Sequence, residues 1–130
     1  MSNTGNNVVI TRAGRQKLCR ARAGAATLPK VVGMAFGDGG VDINGNVITP
    51  SETATGLANE LYRKAIDGYE FVDIATCRYT CQLTESELAG EEISEIGLYD
   101  QDGDIVALKN FSRKGKDADI RQTYTVDDIF

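Results

Sequence analysis

The chain has 130 residues, 42% hydrophobic and 25% charged, with a formal net charge of −5, which suits one globular domain built on one core. It contains no histidine, so Ser-His-Asp and Cys-His catalysis and all His-containing metal sites are excluded. Residues 1–30 carry Arg12, Arg15, Lys17, Arg20, Arg22 and Lys30 with no acid, while the other 8 basic residues and all 19 acids leave residues 31–130 at −11.

The N-terminus has no charged-then-apolar segment followed by a cleavage site. Residues 1–7 read as a flexible polar arm on a single domain spanning 1–130, leading into the apolar triplet Val8-Val9-Ile10. Thr11 then offers a side-chain oxygen to cap a helix over RAGRQKLCRARAG, which Gly24 ends as a C′ residue. Ala13, Leu18, Ala21 and Ala25 give that helix a narrow apolar stripe, so it should lie on a sheet.

Val31 to Phe36 reads as a strand running into Gly37-Asp38-Gly39-Gly40. No Gly-Lys-Ser/Thr and no G-x-G-x-x-G opens a helix there, so both nucleotide fingerprints fail and the glycines read as a surface loop. Asn44-Gly45 marks a turn. Ala54 to Tyr62 reads as a second helix, capped by Thr53 and burying Leu57 and Leu61. From Lys64 the period changes to two. Tyr69, Phe71, Ala75, Cys77, Tyr79, Cys81 and Leu83 share one face, as expected of one long bent strand or a hairpin arm. Cys77 and Cys81 on one strand would be about 13 Å apart at ~3.3 Å per residue, beyond the roughly 7 Å a disulfide spans. With Cys19 they read as reduced thiols.

Ile93–Tyr99 and Ile105–Phe111 read as two strands joined by Asp100-Gln101-Asp102-Gly103-Asp104. The acids suggest a calcium loop, but an EF-hand needs Gly at its sixth position, Glu at its twelfth and helices on both sides. Counted from Asp100, Gly103 is fourth and Phe111 twelfth. Asp-Gly between alternating apolar runs is a hairpin turn, and no metal or other cofactor is expected. Ile120 to Val126 reads as the last strand. Ile129 and Phe130 are apolar enough to expect contact with a neighbour or a following segment. The expected fold is therefore α+β: two short N-terminal helices packed on an antiparallel β-sheet, with a β-hairpin at 93–111.

Four stretches in this order, "ITRAGRQKL", "MAFGDGG", "TGLANELYRKAI" and "EISEIGLYDQDGDIVALKNF", resemble the N-terminal module of phage tail-collar fibre proteins. The similarity runs from Ile10 to about Phe130, and the ending "KNFSRKGKDADIRQTYTVDDIF" is similar to versions from phages of Gram-positive bacteria. The resemblance implies a non-enzymatic structural protein of the virion tail, made in a bacterial cytoplasm. Its partners would be a baseplate or tail protein and further copies of itself, a trimer being favoured, with neither nucleic acid nor membrane. The chain stops where a shaft and receptor-binding tip would follow, so attachment carries over and host recognition does not. Arg12, Arg15 and Arg20 are the candidate docking residues on the basic helix, with Ile129 and Phe130 the candidate subunit contacts. Two other readings stand beside this one. A carbohydrate-binding module would stack sugars on Tyr62, Tyr69 or Tyr99. A hydrolase would pair Glu91, Glu92 or Glu95 with an Asp about 5 to 9 Å away.

Overall fold

The computed structural model describes residues 8–130; the arm at 1–7 lies outside the described residues. Strand β1 (Val8–Ile10) leads into helix α1 (Arg12–Arg22). Strands β2 (Val31–Gly37), β3 (Glu60–Ala65), β4 (Gly68–Asp73), β5 (Thr76–Leu83), β6 (Glu92–Asp100), β7 (Ile105–Gly115) and β8 (Gln122–Ile129) follow. They form a five-stranded sheet, β1-β7-β6-β2-β3, and a three-stranded sheet, β4-β5-β8, with every pairing antiparallel.

The sheets enclose one core. Met34, Phe36, Ile96 and Leu98 of the large sheet meet Cys81, Leu83, Tyr124 and Val126 of the small one, and the Phe36 and Tyr124 rings stand edge-on with centroids 5.2 Å apart. Strand period explains the choice of residues: Ala35, between Met34 and Phe36, faces the other way. There it packs with Ile105 and Leu108 in a smaller cluster that Leu57 helps to cover.

Helix α1 starts and stops where the sequence says. The Thr11 hydroxyl accepts from the Gly14 N–H at 3.1 Å and donates to the Ile105 carbonyl at 2.8 Å. The Thr11 N–H reaches the Val106 carbonyl, so one residue caps the helix and fastens it to β7. Gly24 follows with φ +78°. The hairpin expected at 93–111 is β6–β7, which turns through the residues between Asp100 and Ile105.

The expectation of an α+β fold with two N-terminal helices is overturned. Among the described residues α1 is the one helix, and the molecule is mostly β in two antiparallel sheets. Residues 54–62 do not form a helix; bends and turns occupy the stretch before β3 begins at Glu60. Gly56 and Asn59 weaken helix propensity there, and the backbone N–H groups of Ala58 and Asn59 are taken by the Glu95 carboxylate. Residues 69–83 are a hairpin, β4–β5, folded at Ile74-Ala75. The last strand lies two to three residues further along than its reading, leaving Ile120 exposed before it.

Gly40 occupies a position where no side chain fits. A Cβ there would lie 2.0 Å from the Ser94 carbonyl oxygen, whereas one on Gly68 would meet nothing within 4 Å. Gly40→Ala is therefore expected to cost about 2–4 kcal/mol as the loop after β2 is forced away from β6, and Gly68→Ala less than about 1 kcal/mol. Urea unfolding of the two variants checks this; equal midpoints would show that the loop yields freely.

Candidate functional site

Two carboxylates on β6 organise the molecule around them. Glu95 is buried, 2% exposed, near the start of the strand. Its Oε2 accepts the N–H groups of Gly39 and Asn59 and its Oε1 that of Ala58, each at 2.8 Å. Next to it, the Ser94 hydroxyl accepts the Gly40 N–H at 2.9 Å, and Asn59 donates to Asp38 across the same junction. The F-G-D-G loop and the L-A-N-E segment are thus held together by the glutamate of E-I-G-L. Gly37 and Gly39 are required there, because a Cβ on either would lie within 3 Å of Glu95 itself. Burial and three backbone donors commit this carboxylate to holding the junction. Glu91 and Glu92 are exposed, and Glu92 faces Arg113 at 3.6 Å.

Asp100 closes the other end of β6. Its side chain is 1% exposed, and its Oδ1 accepts the N–H groups of Asp102 and Asp104, which shapes the turn. The carboxylates of Asp100, Asp102 and Asp104 bring oxygens within 4.8 Å of one another, a spacing suited to a cation. The cation is supplied by the chain. The Lys17 ammonium reaches the three aspartates at 2.6, 3.1 and 2.8 Å. Burial works against its charge, but hydrogen bonds to Asp100, Asp104 and Asp102 outweigh that and raise its pKa. The stretch is a turn, as read, with an ion-pair network the sequence did not suggest.

A third polar cluster ties the small sheet to the large one. Glu87 accepts from the Lys64 ammonium at 2.8 Å, from the Thr84 N–H at 2.7 Å and from the Tyr62 hydroxyl. Burial opposes its ionisation, yet these donors, Lys64 foremost, hold its carboxyl down to about 2. Tyr62 is thereby committed to structure. Tyr99 lies under the Arg63 guanidinium, 4.6 Å from ring centroid to Cζ, and covers Gly33. Tyr69 remains exposed and packs edge-on against Phe71, with centroids 5.7 Å apart.

The candidate docking residues fall in two places. Arg12, Arg15 and Arg20 are all exposed on α1, with Arg15 paired to Glu52. Ile129 is half-buried and pairs with Thr76, while Phe130 is exposed beside it and donates its N–H to the Ala75 carbonyl. Sequence reasoning missed the roles of Lys17, Glu87 and Glu95. The glycines opposite Glu95 were the available signal: three in four residues where no phosphate motif is intact.

The family model described as phage tail-collar fibre protein, N-terminal, matches residues 3–127. The chain is similar to a probable tail fiber protein of Escherichia phage P2, 33% identical over 112 residues. That match covers 85% of this chain and 16% of the relative. No solved structure matches.

Because Lys17 fills the place of a metal, calcium is expected to leave the melting temperature unmoved. Lys17→Met should instead lower stability by about 2 kcal/mol, since Asp100 is left buried without its cation. A rise in melting temperature on adding calcium to the wild type would contradict this assignment.

Proposed function

Given that this chain belongs to the phage tail-collar fibre family as its N-terminal module, and is therefore a structural component of a tail fibre, we propose that it joins the fibre to the baseplate or tail by protein–protein contact. The observation that carries this reading is the arrangement of α1. Thr11 and Lys17 fix the helix to β7 and to the β6–β7 turn, leaving Arg12, Arg15 and Arg20 exposed on a chain of net charge −5. A cationic face on an anionic body orients association with an acidic partner. The same acidic body argues against nucleic acid as that partner, and no described helix is long and apolar enough to cross a membrane. The role is non-enzymatic: of the acids on β6, Glu95 is engaged by backbone donors, Asp100 by Lys17 and Glu92 by Arg113. The module acts in the virion tail after synthesis in the host cytoplasm. It associates with further copies of itself, as a trimer, through contacts that include Ile129.

Replacing Arg12, Arg15 and Arg20 together by Glu is expected to cut incorporation of the fibre into tails at least tenfold. The fold should stay intact, since exposed pairs such as Arg15–Glu52 contribute only about 0.2–1 kcal/mol. Normal incorporation by a folded triple variant would end the case for α1 as the docking face. Light scattering on the purified chain tests self-association, and a monomeric mass would transfer that property to other parts of the fibre.

A further inference from the structure

The inner side of α1 and the projecting β4–β5 hairpin face each other across an open groove of about 690 Å³. Leu18, Leu28, Tyr69, Phe71 and Phe130 are among its walls, and Asp128 lies in its lining. Two features set it apart from an ordinary surface crease. Its rim is apolar and solvated: Phe71 is 74% exposed, and Ile74 at the hairpin turn is fully exposed. Large exposed apolar surfaces on a folded domain mark places where another chain sits. The second feature is Asp128. Its side chain is buried, 8% of the residue being exposed, and its Oδ1 has no hydrogen-bond partner among the described residues.

A buried carboxylate oxygen without a donor is costly and rare in folded proteins. The neighbouring residue shows the contrast. Asp127, on the opposite face of β8, takes two hydrogen bonds from the Arg78 guanidinium. Lys17 and Lys30 also line the groove, but the Lys17 ammonium is held by Asp100, Asp102 and Asp104, and neither lysine reaches Asp128 Oδ1. Apolar walls with one unanswered anionic acceptor complement a chain segment that is itself apolar and carries one cationic donor.

We propose that this groove receives an apolar segment of a partner tail protein and that a Lys or Arg of that segment donates to Asp128. The assignment rests on the attachment reading and names its second contact: α1 steers the partner from its outer, cationic side, and the groove anchors it. The occupant is another tail protein and not a second copy of this chain.

The test uses the complete fibre in assembled tails. A photo-crosslinking phenylalanine analogue is placed at Phe71, and in a second sample at Arg12, and the linked peptides are identified by mass spectrometry. From Phe71 the expected product is an apolar segment of another tail protein containing Lys or Arg. Links from Phe71 to a second copy of this chain, or to a segment with no basic residue, overturn the proposal. If Arg12 links to a tail protein while Phe71 does not, the groove fails and attachment stands. If neither position links to any tail protein, the attachment reading itself fails. Asp128→Asn provides the charge arm. It keeps the side-chain shape and removes the buried charge, so it should melt no lower than the wild type while fibre incorporation falls at least tenfold. Unchanged incorporation would overturn the role given to Asp128.

Discussion

The fold depends on a carboxylate whose ligands are backbone. Glu95 accepts three N–H groups from two separate segments, and without it those donors would be left in a buried junction with no partner. That requirement settles several features together. It draws residues 37–40 and 57–59 against β6 and so fixes where β2 and β3 pair. It demands glycine where the backbone passes within 3 Å of the carboxylate. It also keeps residues 54–62 from closing a helical ladder, because the N–H groups of Ala58 and Asn59 are already spent.

β6 is the third of five strands in its sheet, and a second acid, Asp100, stands at its far end. Glu95 collects loops, whereas Asp100 collects the helix through Lys17. Both acids are buried, and each is surrounded by donors, which is the condition under which a buried charge persists. The large sheet and α1 therefore behave as one braced unit. The β4–β5 hairpin is braced differently. It is held along β8 and through Glu87 at its base, while its tip carries apolar side chains into solvent.

The parts of this structure legible in the sequence were those governed by neighbouring residues. Thr11 and Gly24 bracket α1 because capping and positive φ are properties of one or two positions. Asp-Gly between apolar runs gave the β6–β7 hairpin for the same reason. The second helix was misread because its apolar spacing at Leu57 and Leu61 is compatible with two structures, and the deciding donor–acceptor contacts come from a residue 36 or 37 positions away. Lys17 was counted as one charge of a basic helix. Its role depends on three aspartates more than 80 residues distant, which periodicity cannot pair. The resemblance to tail-collar fibres identified the segments that matter without saying why. Their common purpose is geometric: the glycines, the L-A-N-E turn and the E-I-G-L strand are the pieces of one junction.

Strand β8 carries the division of the molecule along its own length. Tyr124 and Val126 enter the core, Asp127 is paired on the outside by Arg78, and Asp128 returns to the inner side where the core has ended and the groove begins. Alternation alone would place an apolar residue at 128, and an apolar residue would stabilise the isolated domain more than an unpartnered carboxylate does. Burial accordingly pushes that carboxyl up to about 6, so between the ordinary aspartate value and pH 6 the folded chain holds a proton that the unfolded chain releases, and stability falls as pH rises through that interval. A cationic donor entering the groove would reverse this penalty, because its charge favours the ionised carboxylate. The residue least suited to the free domain is thus the one whose defect an incoming cation corrects, which ties the stability of this end of β8 to what occupies the groove.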